Sequence, residues 1–302
     1  MTAALGLGCA PIGNLFAGVS DDDARATVDA AWDAGIRHFD TAPLYGHGVS
    51  EIRLGRALAA RPRTDYVLST KVGRVLRPAG ATRAATIFTD VGDLEPEFDF
   101  SHDGIMRSLE DSLARLGTDR VDVALVHDPD DHEDDAQQYA FPTLLRLRDE
   151  GVVNAIGCGM NQTAMLQRFV ARIDLDCVLL AGRYSLLDRS GSELLAQCAA
   201  RGVGVVIGGV FNTGVLIDPD AHPTYDYTPA PLTVLERARR MRAVCEARGV
   251  ALGAAALQFA MRHPAVTTVL VGARSAAEVE LDAAFAATPI ADDLLQELDA
   301  VE

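Results

Sequence analysis

The stretch Leu113-Ala114-Arg115-Leu116-Gly117-Thr118-Asp119-Arg120-Val121-Asp122-Val123-Ala124-Leu125-Val126-His127 decides the fold. A helical pattern that begins near Asp103 ends at Leu116. Gly117 stops it, because glycine takes the left-handed conformation that closes a helix without a Cβ penalty. Val121–His127 then reads as a buried strand, short, apolar and β-branched. A second helical pattern follows from about Asp135 to Glu150 and stops at Gly151. Towards the N-terminus, strands read at Leu5–Cys9, Ile36–Asp40 and Tyr66–Thr70, with helices at about Asp21–Ala34 and Ser50–Ala59. The first of these helices has Ser20 as N-cap, Asp21, Asp22 and Asp23 at the positive end of its dipole, and Gly35 at its close. Towards the C-terminus, strands read at Val153–Gly157, Cys177–Leu180, Val203–Ile207 and Thr268–Val271. Helices read at about Gln162–Arg172, Gly191–Arg201, Pro231–Arg248, Leu252–Arg262, Ala276–Ala286 and Ala291–Val301.

Strands that alternate with helices pair in parallel, because parallel neighbours need crossover connections. Eight such repeats with no linker between them predict an α/β fold, a (β/α)8 TIM barrel with extra helices, as a single domain over residues 1–302. An open doubly wound sheet is the alternative. Two long connections, 76–100 and 209–230, follow strands and so fall on the C-terminal face, where barrels carry their chemistry. The 302 residues are 49% hydrophobic and carry 27 Lys and Arg against 43 Asp and Glu, a formal charge of −16. That excess of carboxylates argues against nucleic acid and against an anionic membrane surface as partners. It leaves a soluble protein that handles small molecules. Cys9, Cys158, Cys177, Cys198 and Cys245 fit neither a disulfide framework nor a zinc ribbon. They read as buried thiols of a reducing compartment. The N-terminal residues lack a signal-peptide pattern, and no apolar run approaches the ~20 residues of a spanning helix. Both points predict a cytoplasmic protein.

The nucleotide and nucleophile motifs with specific spacing are missing. Gly202-Val203-Gly204 and Gly157-Cys158-Gly159 each lack the third glycine of a dinucleotide fingerprint, and no phosphate loop, nucleophile elbow or H-E-x-x-H occurs. The acidic run Asp128–Asp135, with His132, reads as a solvated loop and helix start rather than a metal site. What stands out is Asp40, Tyr45, Lys71 and His127, at or just beyond the ends of three consecutive strands. Each alone has a plain reading as a turn cap, a barrel plug or a satisfied polar group. In a barrel all four converge on one pocket.

Several stretches resemble the aldo-keto reductase superfamily. They are Phe39-Asp40-Thr41-Ala42-Pro43-Leu44-Tyr45-Gly46 followed by Glu51-Ile52-Arg53-Leu54-Gly55-Arg56-Ala57-Leu58, then Ser69-Thr70-Lys71-Val72-Gly73, and Ser108 to Gly117 with Asp122. The resemblance covers nearly the whole chain. It implies a TIM barrel that binds a nicotinamide cofactor without a Rossmann domain, and an enzyme rather than a barrel kept as a binding or regulatory subunit. Tyr45 is then the general acid/base at the substrate oxygen, Lys71 lowers its pKa, Asp40 holds Lys71, and His127 orients the oxygen. Hydride passes directly between the substrate carbon and the nicotinamide.

Within the superfamily, Val126-His127-Asp128-Pro129, Ile156-Gly157-Cys158-Gly159-Met160-Asn161 and Gly208-Gly209-Val210-Phe211-Asn212-Thr213-Gly214 resemble a branch of sugar and pyridoxal dehydrogenases. By that likeness Asn161 contacts the nicotinamide amide, although it also reads as an N-cap. Phe211, Asn212, Thr213 and Gly214 wrap the pyrophosphate through backbone N–H groups. Gly272, Arg274 and Glu278 flank the adenosine. Three positions depart from the pattern. A Ser-Asn pair reads Met160-Asn161, a glutamine falls at Ala181, and a stacking tyrosine falls at Gly208 or Gly209, leaving Phe211 as a replacement. Glu278 stands where a basic residue often meets the 2′-phosphate, which favours NAD, with NADP possible. The implied substrate is an aldose oxidised at its anomeric carbon to a lactone, or an aldehyde. Oxidation of pyridoxal is the alternative. Arg77, Arg83, Phe88 and Phe98 in one long connection, and Tyr225 and Tyr227 in the other, either wall a sugar or aromatic pocket or pack their loops down. Trp32 reads as core.

Overall fold

Short apolar strands separated by helices each need a parallel neighbour on both sides. The computed structural model, which describes residues 3–80 and 85–301, shows how they find them. The barrel strands are β1 (Ala4–Gly8), β2 (His38–Asp40), β3 (Val67–Val72), β6 (Val123–His127), β7 (Ala155–Met160), β8 (Cys177–Ala181), β9 (Gly204–Gly208) and β12 (Val266–Gly272). They close in the order β1-β12-β9-β8-β7-β6-β3-β2, parallel at every pairing. The main helices around them are α1 (Asp21–Asp33), α2 (Val49–Leu58), α3 (His102–Leu116), α5 (Phe141–Asp149), α6 (Thr163–Arg172) and α7 (Ser192–Arg201). The ring is completed by α8 (Leu232–Ala247), α9 (Leu252–Met261), α10 (Ala276–Ala287) and α11 (Asp292–Asp299). A short α4 (Glu133–Asp135) and a wide turn at Ala136–Ala140 lead into α5.

The helix ends obey their local chemistry. Ser20 Oγ accepts from Asp23 N–H at 3.1 Å, and Gly117 takes φ +64° to close α3. The large apolar cluster lies between the helices and the outward faces of the strands, while Leu125, Leu179, Val206 and Leu270 form a second, small cluster from four barrel strands. Gly157 and Gly159 on β7 leave room for neighbours. A Cβ at Gly157 would sit 2.1 Å from the Cys177 carbonyl, and one at Gly159 would touch Lys71 Cε at 3.6 Å. Between α2, α3 and β3, fully buried Glu51 binds Arg115 at 2.6 Å and Thr70 at 2.8 Å, which ties the strand that bears Lys71 to both helices.

The two long connections are more ordered than their composition suggests. In the first, β4 (Arg74–Pro78) and β5 (Leu94–Phe98) pair antiparallel. The second connection holds a tight turn at Asn212–Gly214 and a two-residue ladder of β10 (Thr224–Tyr225) with β11 (Thr228–Pro229). Arg83 lies outside the described residues. Trp32 packs edge-on to Tyr66 at 6.2 Å, and the Arg37 guanidinium covers its face at 3.8 Å, so it serves the helix–barrel packing. Among the described residues no single helix is long and apolar enough to cross a membrane.

Candidate active site

Strand register brings the four ionisable residues together. Asp40 ends β2, Lys71 is the penultimate residue of β3, and His127 ends β6. Tyr45 stands in the turn after β2, where its N–H donates to the Ala42 carbonyl at 3.0 Å. That turn is pinned by close backbone approach. Gly46 has φ +63°, and a Cβ there would lie 2.3 Å from the Gly13 carbonyl. Lys71 Nζ donates to Asp40 Oδ1 at 2.5 Å and to the Thr41 carbonyl at 3.0 Å, while Ser69 Oγ donates to Asp40 Oδ2 at 2.7 Å. Asp40 and Lys71 are almost wholly buried, so each charge depends on the other and on these hydrogen bonds. The ammonium lies 4.6 Å from the centroid of the Tyr45 ring. That ring is partly exposed and meets His127 edge-on at 5.9 Å and Phe88 at 6.0 Å.

Burial and charge set the protonation states. Burial by itself pulls the Lys71 ammonium down, but the Asp40 carboxylate and the Tyr45 oxygen outweigh it, and Lys71 titrates above an ordinary lysine. His127 is pushed well below the usual imidazole range, first by burial and then by Lys71 and Arg74, so it is neutral at neutral pH. Tyr45 differs from the sequence expectation. Lys71 does favour the phenolate, but burial acts harder, and the phenol is pushed up to about 12. The site is thus poised as a neutral phenol and a neutral imidazole beside a buried ammonium. Such a set gives a proton to an oxygen readily and takes one only as a phenolate forms.

Two further residues join the site, and sequence reasoning passed over both. Asp128 belongs to the acidic run read as a solvated loop, yet its backbone takes φ +44°, its N–H donates to the Gly159 carbonyl at 3.0 Å, and its carboxylate turns to the site. Asp128 Oδ2 lies 3.0 Å from Arg74 Nη2 and 3.4 Å from His127 Nε2. Burial raises its carboxyl pKa, with Arg74 opposing. The Arg74 guanidinium stacks 4.2 Å above the Phe98 ring. Arg74 Nε and His127 Nδ1 are buried and have no hydrogen-bond partner among the described residues. Of the loop aromatics, Phe88 packs beside Tyr45 and Phe98 beneath Arg74. Tyr227 meets Phe16 at 6.1 Å, and both rings are over two-fifths exposed. The signals that mark Arg74 and Asp128 in sequence are their places beside Lys71 and His127.

The residues expected around a cofactor fall along the same rim. Asn161 is exposed just beyond β7, and its carbonyl accepts from Arg183 Nε at 3.0 Å. It is not the N-cap of α6, because that position belongs to Gln162, which makes no side-chain cap bond. Phe211 meets Phe285 edge-on at 6.4 Å. The buried Asn212 side chain is committed to Ser185 and to the Gly182 carbonyl. The N–H groups of Asn212 and Gly214 are spent on the carbonyls of Gly209 and Phe211, at 2.9 and 3.0 Å. These bonds differ from an open backbone cradle at 211–214; Thr213, half-buried, takes φ +64° and its Oγ1 accepts from Tyr227 N–H. Gly272 is exposed at the end of β12, and α10 follows with Ser275 as its N-cap. Glu278 Oε2 accepts from the Arg274 N–H at 2.9 Å and pairs with its guanidinium at 3.6 Å. A helix N-terminus behind an exposed glycine, with one arginine beside it, suits an anionic dinucleotide.

The sequence and the fold were compared with known proteins. The profile of the Aldo/keto reductase family matches residues 4–302. The chain is 44% identical to a D-threo-aldose 1-dehydrogenase of a Pseudomonas species, over 98% of this chain and 92% of that one. It is 39% identical to a pyridoxal 4-dehydrogenase of Microbacterium luteolum, over 96% of this chain and 91% of that one. Among solved structures, an aldo-keto reductase from Bacillus halodurans in its holo form superposes with a TM-score of 0.78 at 27% identity, covering 100% of this chain and 94% of that one.

Proposed function

The chain belongs to the aldo/keto reductase family of nicotinamide-dependent oxidoreductases, and from that premise we propose that it oxidises an aldose at the anomeric carbon to the lactone with NAD. The observation that carries the reading is the buried Lys71–Asp40 pair, 2.5 Å apart, set beneath Tyr45 and next to a neutral His127. The bound nicotinamide supplies the two-electron acceptor, or the donor in the reverse direction. The chain supplies the proton path. Forming the lactone carbonyl breaks the anomeric C–H and O–H bonds. Tyr45 Oη takes the hydroxyl proton, and in reduction it returns that proton to the carbonyl oxygen. Lys71 stabilises the phenolate as it forms, Asp40 fixes Lys71, and neutral His127 orients the substrate oxygen.

Asn161 is assigned to the nicotinamide amide, the turn at Phe211, Asn212, Thr213 and Gly214 to the pyrophosphate through Phe211 and Thr213, since the N–H groups of Asn212 and Gly214 are already bonded, and Gly272, Arg274 and Glu278 to the adenosine end. The preference for NAD rests on Glu278. It pairs with Arg274 and offers a carboxylate that accepts from a ribose hydroxyl and repels a 2′-phosphate. The thiols at Cys9, Cys158, Cys177, Cys198 and Cys245 are unpaired, which suits work in the reducing cytoplasm. A second reading, oxidation of pyridoxal, is favoured by the 39% identical relative. Steady-state rates with aldoses, pyridoxal and simple aldehydes, each with NAD and NADP, test both. The highest kcat/KM is expected for an aldose with NAD. A clear preference for NADP overturns the role of Glu278, and a panel led by pyridoxal overturns the aldose.

A further inference from the structure

The geometry points to Arg74 and Asp128 as a subsite for the sugar hydroxyl on the carbon next to the reacting one. This inference rests on the aldose reading. It begins from two buried nitrogens, Arg74 Nε and His127 Nδ1, that have no partner among the described residues. A buried polar atom left unpaired is costly, so a protein that keeps two on residues of one site has a use for them. The two are joined through one carboxylate. Asp128 Oδ2 takes Arg74 Nη2 at 3.0 Å and lies 3.4 Å from His127 Nε2, which leaves Oδ1 for an incoming donor.

A hydroxyl both donates and accepts, whereas an ionised carboxylate only accepts and a guanidinium only donates. One hydroxyl can therefore satisfy Asp128 Oδ1 and Arg74 Nε–H together. Its place follows from the chain. His127 faces the reacting oxygen, and Asp128, the next residue, is turned back to it by its left-handed φ of +44°. Neighbouring oxygens of a vicinal diol lie roughly 3 Å apart, about one hydrogen-bond length. A group in hydrogen-bond range of His127 thus meets the second oxygen. Phe98 holds the guanidinium plane from behind, at 4.2 Å, and so fixes the direction of Nε–H. Pyridoxal does not satisfy this pair, because its reacting carbon is bonded to a ring carbon that bears no oxygen.

The test compares an aldose with its 2-deoxy counterpart in wild type, Asp128→Asn and Arg74→Lys, all as NAD-dependent kcat/KM. Wild type is expected to prefer the 2-hydroxy sugar by about 10- to 100-fold, the range of a hydrogen bond to a charged group. In both variants that preference is expected to fall by at least about threefold, because Asp128→Asn removes the charged acceptor and Arg74→Lys removes the Nε–H donor, each leaving the hydroxyl one of its two original partners. The 2-deoxy sugar registers whatever either substitution does to His127 or to folding, so the ratio isolates the subsite. A wild-type enzyme that turns over both sugars alike, or a preference that survives undiminished in both variants, overturns the subsite while the aldose reading stands. A wild type that oxidises neither sugar overturns the aldose reading and the subsite with it.

Discussion

Replacing Lys71 by methionine removes the charge that helps Tyr45 to ionise. The ammonium lies 4.6 Å from the ring centroid and is 1% exposed. With an effective dielectric of about 20, that separation is worth about 3–4 kcal/mol, or roughly 2–3 pKa units. The Tyr45 phenol, already pushed up to about 12, then moves further from any working pH. Oxidation that needs the phenolate is expected to slow by about 10²–10³-fold. The same substitution strands the buried Asp40 carboxylate, at a cost of about 3–5 kcal/mol in stability. The two effects separate in the double variant Lys71→Met/Asp40→Asn, which removes the stranded charge. Urea midpoints and kcat, measured on the single and double variants, read both. Stability is expected to recover in the double variant and activity to stay low. Recovery of both, or a loss in the single variant of less than about tenfold, refutes the electrostatic role of Lys71.

Because Tyr45 is pushed up to about 12 and His127 is held neutral, kcat for oxidation is expected to climb across the alkaline range while kcat for reduction stays flat. An oxidation profile that levels off near neutrality argues against the raised phenol. Asp282 on α10 is 4% exposed, and burial, helped by Glu278, lifts its carboxyl to about 7. A raised carboxyl keeps its proton in the folded state while the unfolded chain ionises, so the penalty grows from the unfolded pKa of about 4 up to about pH 7, reaching about 4 kcal/mol. Asp282→Asn is therefore expected to stabilise more at about pH 8 than at about pH 5 in urea titrations; equal effects at both would count against it. Glu51→Ala strands Arg115 and frees Thr70, and thermal melts are expected to show a loss of about 3–5 kcal/mol, with a smaller loss for Glu51→Gln.

The barrel was legible because most strands are short apolar runs and several helices carry their own stop, as at Gly35, Gly117 and Gly151. Strand ends moved by one to three residues, as at Gly157, where the strand runs on to Met160, and β2 shortened to His38–Asp40. The hairpin of β4 and β5 was hidden, since the central proline of Leu94-Glu95-Pro96-Glu97-Phe98 demotes a five-residue run that otherwise alternates. Asp40, Tyr45, Lys71 and His127 stood out as ionisable residues at strand ends, where a barrel gathers its chemistry. Asp128 did not, because a carboxylate within an acidic run reads as solvated and nothing in sequence marks a φ of +44°. The raised Tyr45 pKa was equally hidden. Lys71 is visible in sequence as a neighbour, but the burial that outweighs it comes from residues far apart in the chain, Phe88 among them.

The claim on which the account turns is that Tyr45, above the Lys71–Asp40 pair, moves the proton in a nicotinamide-dependent reaction. Tyr45→Phe keeps the ring and its packing against His127 and Phe88 and removes only the hydroxyl. Turnover and NADH fluorescence titration of that single variant test the claim most directly. Turnover is expected to fall by about 10²–10⁴-fold, with the cofactor Kd within about threefold of wild type. Turnover that survives the substitution with the cofactor still bound contradicts it.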